Sequence, residues 1–210
     1  MYKSLADDEK FDLKILIKPM RKVIFILLLL PLTSFGQLGE YWSSKGNIKA
    51  KGLTFQIRVP LGFEQRDADR PNIVQKWLKD GTDNSKMVQV MVAVKYLPEE
   101  VQGFGKNEWT QYLKYEGGID DYAEEWKQLG SAENEKFIKL DSYPGFYIDG
   151  FSEGRRLDLV LKVYYYNISV FVDNYYFNIY MSSPEKSVLE SNYSLFLRLS
   201  NSIIFPGQYN

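Results

Sequence analysis

The sequence predicts an α+β fold, an α/β/α sandwich with a central, mainly antiparallel sheet and helices against it. Three observations carry that expectation. Apolar residues alternate with a period of two over 53–59, 73–79 and 87–96; the spacing lengthens to the helical period over 107–129; strand patterns then return over 136–181 before a last helical stripe. Runs of strands set apart from runs of helices belong to this class rather than to alternating β-α-β units.

Side-chain order justifies each element in turn. Leu53, Phe55, Ile57 and Val59 alternate with Thr54, Gln56 and Arg58, and Pro60 and Gly62 close that strand. Strands over 73–79 and 87–96 are joined by Asp80-Gly81-Thr82-Asp83-Asn84, whose glycine and Asx residues suit a hairpin loop. In the second of them Val88, Val90, Val92 and Val94 form one face; the other carries Met87, Gln89, Met91 and Ala93, apolar enough that both faces are expected under cover. Asn107 is expected to cap a helix bearing Trp109, Tyr112 and Leu113, ended by Gly117-Gly118. A second helix from Ile119 sets Ile119, Tyr122, Trp126 and Leu129 on one face and Asp120, Asp121, Glu124 and Glu125 on the other. Strands follow over 136–140 and 145–151 about a Ser142-Tyr143-Pro144-Gly145 turn, then over 157–172 and 175–181 about the two-residue turn Asp173-Asn174. Ser183-Pro184-Glu185 opens a helix to Ser200 with a Leu189, Tyr193, Phe196 and Leu199 stripe, and a short strand over 202–205 rejoins the sheet.

The amino terminus predicts export. From Met20 the chain reads MRKVIFILLLLPLTSFGQ: the cations Arg21 and Lys22, an apolar run from Val23 to Leu32, then polar Thr33 and Ser34 with small Ser34 and Gly36 before a cut near Gly36/Gln37. Residues 20–36 are therefore expected to be a signal peptide. Its apolar run is about half the 20 or so residues needed to cross a bilayer, so no stable membrane span is expected after cleavage. Residues 1–19 place Asp7, Asp8, Glu9 and Asp12 ahead of those cations, contrary to an export signal, and are expected to be a non-native extension with translation starting at Met20. Residues 37–46 form a loose lead and 47–210 a single domain, periplasmic or secreted.

Composition closes off much chemistry. The 210 residues include no cysteine and no histidine, which removes disulfides, a cysteine nucleophile, a Ser-His-Asp triad and Cys/His zinc sites. With 26 Lys+Arg against 27 Asp+Glu, the chain lacks the basic field of a nucleic-acid binder. Asp67, Asp69, Asp80 and Asp83 lack the ligand spacing of a calcium loop, and no metal or cofactor is expected. Asp120, Asp121, Glu124 and Glu125 could serve as paired carboxylates but sit on one solvated helical face. Ser-x-x-Lys occurs once, from Ser183 to Lys186 where the last helix opens, and nowhere else in the expected strands or turns.

The stretches LTFQIRVPLGFEQ at 53–65, NYYFNIYMSSPEK at 174–186 and FLRLSNSIIF at 196–205 resemble the Mog1/PsbP-like superfamily over about residues 47–205. That resemblance implies an α/β/α sandwich and a largely non-enzymatic role. The superfamily includes an extrinsic subunit of the photosynthetic oxygen-evolving complex, a partner of the Ran GTPase and bacterial envelope proteins, whose shared theme is binding to macromolecules. No family ligand residue maps onto a position of this chain, and fold alone does not give function.

The aromatic-rich strands supply the remaining candidates. Tyr164, Tyr166, Tyr176 and Tyr180, or Trp77 nearby, are expected to form an exposed cluster, and Arg155 and Arg156, after a Ser-Glu-Gly turn, a polar contact. The expected function is an exported, non-catalytic domain that contacts an unknown protein or envelope component. A periplasmic small-molecule carrier and a carboxylate-based hydrolase are the alternatives.

Overall fold

The computed structural model describes residues 38–83, 86–156 and 159–209, without the side chains of Arg155, Arg156 and Leu159. The expected extension, signal peptide and cleavage point lie outside the described residues.

Seven strands make one antiparallel sheet: β3 (Glu64–Arg66), β4 (Ile73–Lys79), β5 (Val88–Tyr96), β6 (Gly130–Leu140), β7 (Tyr143–Arg156), β8 (Leu159–Val172) and β9 (Tyr175–Ser183), in the order β3-β4-β5-β9-β8-β7-β6. A separate two-stranded sheet pairs β1 (Leu38–Ser43) with β2 (Gln56–Pro60). Helices α1 (Lys106–Tyr115) and α2 (Gly118–Leu129) join β5 to β6, and α3 (Lys186–Ser191) and α4 (Tyr193–Asn201) follow β9. The expected α+β class, with its mainly antiparallel sheet, is what the chain adopts.

Strand parity sorts the side chains into two cores. On one face Val90, Val92, Tyr166, Ile168, Phe177, Ile179 and Met181 pack with Phe55, Ile57, Leu189, Phe196 and Leu199. On the other, Phe146, Ile148, Tyr165 and Phe171 pack with Trp109, Leu113 and Ala123. Aromatic rings dominate this second core: Trp109 stacks on Phe171 with centroids 3.8 Å apart, and Tyr122 stacks on Phe146 at 4.9 Å.

Several local expectations shift. The segment expected as a loose lead contributes β1, because Trp42 buries its ring against Phe55 and Trp77 while Arg58 donates to the carbonyls of Leu38 and Gly39. The strand expected from Leu53 begins at Gln56 and joins β1 instead of the large sheet. Only its bridge to Ile204 survives of the expected strand over 202–205. Helix α1 is capped by Gly105, not Asn107. The long helix from Ser183 breaks at Asn192, whose side chain donates to the Val188 carbonyl at 2.8 Å. On β5 the valine face is buried, but Gln89, Met91 and Ala93 stay half-exposed, since α1 and α2 pack over β6 and β7. The Ser142-Pro144 turn tightens to Asp141 and Ser142, both left-handed at φ 46° and 70°.

Candidate functional site

A cavity of about 150 Å³ opens beside α3, where β6, β7 and β8 present Glu133, Asn134, Asp149, Tyr164 and Tyr166 to Lys186, Leu189 and Glu190. Its shape begins with an irregularity of pairing. Ala132 faces Gly150 and Asn134 faces Asp149, so Glu133 is an extra residue in β6, a bulge that re-aims its side chain. Gly150 permits the bulge: a Cβ there would stand 2.0 Å from the Ser131 carbonyl oxygen.

Parity then brings Asp149 and Tyr166 together, since they are register partners on β7 and β8. Asp149 accepts from Tyr147 Oη at 2.7 Å and from Asn134 Nδ2 at 2.9 Å, so both carboxylate oxygens are engaged. Glu133 lies 3.5 Å from Lys186 Nζ. The Glu190 carboxylate carries no hydrogen bond or ion pair among the described residues, while its backbone carbonyl accepts from Asn192 N–H. Tyr166 is only 9% exposed, its ring held edge-on by Tyr193 at 5.0 Å and alongside Tyr147 at 6.4 Å. Burial first, and then the charges of Glu190 and Asp149, push its hydroxyl up to about 12, so it stays protonated through the neutral range. Burial and the Asp149 contact raise Tyr147 further still.

The expected tyrosine cluster divides across the sheet. Tyr164 and Tyr166 point to the α3 side and line the cavity. Tyr176 and Tyr180 are register partners of Phe171 and Asn167 and point to the opposite side, where Tyr176 lies under Tyr122 and Tyr180 under Trp126. There Tyr176 joins a polar network in which its hydroxyl and Ser169 Oγ are 2.6 Å apart and Asn178 Nδ2 donates to Ser169 Oγ at 3.0 Å. Trp77 is 1% exposed and belongs to the core, so it supplies no surface. Arg155 and Arg156 end β7 opposite Val160 and Leu159, past the last β6 pairing at Ser152.

Other candidate chemistry stays dispersed. Asp120, Asp121, Glu124 and Glu125 are exposed on α2, Glu124 pairing with Lys127 at 2.8 Å and Asp121 accepting from Tyr112. Among the described residues no group of three or more carboxylates is placed to hold a metal ion, and no helix is long and apolar enough to cross a membrane. Lys106 Nζ does donate to Ser142 Oγ at 2.6 Å, a pairing that a separation of 36 positions hides from any short motif. Both residues are exposed, and the ammonium lies 3.9 Å from the Tyr143 ring centroid, an arrangement of charge and ring rather than of base and nucleophile.

No family model and no curated protein matches the chain. Solved structures similar to it include cyanobacterial PsbP (CyanoP) from Synechocystis sp. PCC 6803, at 11% identity over 79% of this chain and 91% of that one, with TM-score 0.46. LpqN of Mycobacterium tuberculosis, described as involved in cell envelope biogenesis, is similar at 6% identity over 71% and 81% of the two chains, TM-score 0.46. The Saccharomyces cerevisiae Ran-binding protein Mog1p is similar at 10% identity over 72% and 89%, TM-score 0.42. The chain thus has a fold-level resemblance to PsbP and Mog1 structures, which concerns shape alone.

Proposed function

We propose that the chain is an exported, non-catalytic binding domain that contacts a protein or envelope component through the cleft beside α3. The observation that carries the reading is the construction of that cleft: a floor of Tyr166 and Leu189, a wall of Tyr164, and an exposed rim of Glu133, Asn134, Lys186 and Glu190. An aromatic centre with a polar rim is the anatomy of a protein contact. At about 150 Å³ the cavity falls well below the roughly 300–1,000 Å³ of typical small-molecule sites, which weighs against a carrier. Asp149, with both oxygens occupied, and Glu133, beside Lys186, do not form the free carboxylate pair that hydrolysis needs. Export rests on the sequence from Met20 to Gly36.

Gentle isolation of the tagged protein from its own cells, followed by native mass spectrometry, tests the reading. The mature chain should carry a stoichiometric partner that Tyr164→Ala releases without changing the circular dichroism spectrum. The same partner retained at the same stoichiometry by Tyr164→Ala would overturn the cleft as the contact surface.

A further inference from the structure

We infer that the cleft receives one cationic side chain, an arginine or lysine, projecting from a partner polypeptide. The inference rests on the binding reading above and specifies what is bound.

Tyr166 is the centre of it. Nine-tenths of this residue is buried, it lines the cavity, and its hydroxyl stays accessible there with no hydrogen bond among the described residues. A hydroxyl that opens on the cavity and that no protein group engages is free for a ligand, and its oxygen offers lone pairs to an N–H donor. Three carboxylates, Glu133, Asp149 and Glu190, line the same space against one ammonium, Lys186. An anion would meet net repulsion there, whereas a cation meets compensating charge and gains a charge-assisted hydrogen bond.

The walls fit the same class of group. Tyr164 and Tyr166 offer ring surface, to which a guanidinium or ammonium is attracted. A cavity of this volume takes a benzene-sized group, comparable to the head of one arginine. Leu189 can lie along its methylene stem, as long cationic side chains prefer. Lys186, beside Glu133 at the rim, is a built-in competitor that offsets part of the negative charge until a stronger cation arrives. A polypeptide is the source because the exposed rim residues can add contacts that a free amine cannot reach.

The full chain should be titrated with N-acetyl-arginine amide, its neutral isostere N-acetyl-citrulline amide, putrescine, and a short arginine-containing peptide, with the tyrosine ring resonances followed by NMR at low salt. The arginine amide should shift the Tyr164 and Tyr166 signals saturably with a Kd on the order of millimolar, and citrulline should bind at least about tenfold more weakly. The peptide should bind more tightly than the amide, and putrescine no better than it. Tyr166→Phe, which keeps the packed ring, and Glu190→Gln should each weaken binding roughly tenfold, whereas Lys186→Met should strengthen it. Equal binding of citrulline, absence of any saturable shift, or loss of binding in Lys186→Met would overturn the cation; putrescine outbinding every peptide would overturn the polypeptide source. Should arginine fail to bind while Tyr164→Ala still releases the cellular partner, the cleft stands as the contact surface and only the cation is withdrawn. Failure of both removes both readings.

Discussion

Tyr96 and Tyr175 donate their hydroxyls to the same acceptor, the carbonyl oxygen of Lys51, at 3.1 and 2.9 Å. Their rings lie 5.4 Å apart on adjacent strands β5 and β9, and together they pin the turn in which Lys51 takes a left-handed φ of 57°. Two donors on one carbonyl share a task. Tyr175→Phe should lower stability by about 1 kcal/mol and the more exposed Tyr96→Phe by a few tenths, while the double variant loses more than the sum because the surviving hydroxyl no longer compensates. Urea unfolding of the four proteins measures this.

Trp77 tests the division between core and surface. It is buried against Trp42, on the side of β4 that carries the larger core. Trp77→Ala should cost about 3–5 kcal/mol, against well under 1 kcal/mol for an aromatic on an open surface. Denaturant midpoints distinguish the two.

Tyrosine ionisation sets the alkaline limit. Burial is the leading cause in Tyr112, Tyr166, Tyr176 and Tyr180, each pushed up to about 12, and Tyr122, Tyr147 and Tyr165 are raised further. Unfolded tyrosine ionises near 10, so above that pH the unfolded chain binds fewer protons than the native one. The contribution of these groups is complete below about pH 10 and is lost as pH rises towards 12. Tyrosinate absorbance and circular dichroism should change in one cooperative step in that window. With no histidine, stability should stay nearly flat from about pH 6 to 8.

Gly150→Ala should open the cleft from behind. The added methyl would meet the Ser131 carbonyl oxygen, and the rigid strand pairing leaves backbone movement as the only relief. A loss of about 1–3 kcal/mol is expected, with the signals of Asn134 and Asp149 shifting together as the bulge moves. A stability unchanged from the native protein would show that the β6 bulge is not held by this contact.

Much of this architecture is legible in residue order. Valines at alternate positions of β5 and the Asp173-Asn174 turn place the central hairpins within a residue or two. The tyrosine cluster failed on parity, and the correction was available in the sequence: a two-residue turn at 173–174 sets Val172 against Tyr175, and counting outward puts even residues of β8 opposite odd residues of β9. Tyr164 and Tyr166 therefore cannot share a face with Tyr176 and Tyr180. The carboxylate set was not legible, because Glu133, Asp149 and Glu190 come from three elements and the bulge that aims Glu133 leaves no compositional mark.

The order of strands also fixes an order in time. Strands β6 to β9 pair successively in chain order, so each joins its neighbour by closing a short loop, whereas β5 reaches β9 only after α1, α2 and three strands have intervened. Short closures precede long ones. The four-strand meander is thus expected to act as the template onto which β5, β4 and β3 dock, and substitutions along the β5–β9 seam, such as Val92→Ala or Ile179→Val, report in folding kinetics on how late that docking occurs.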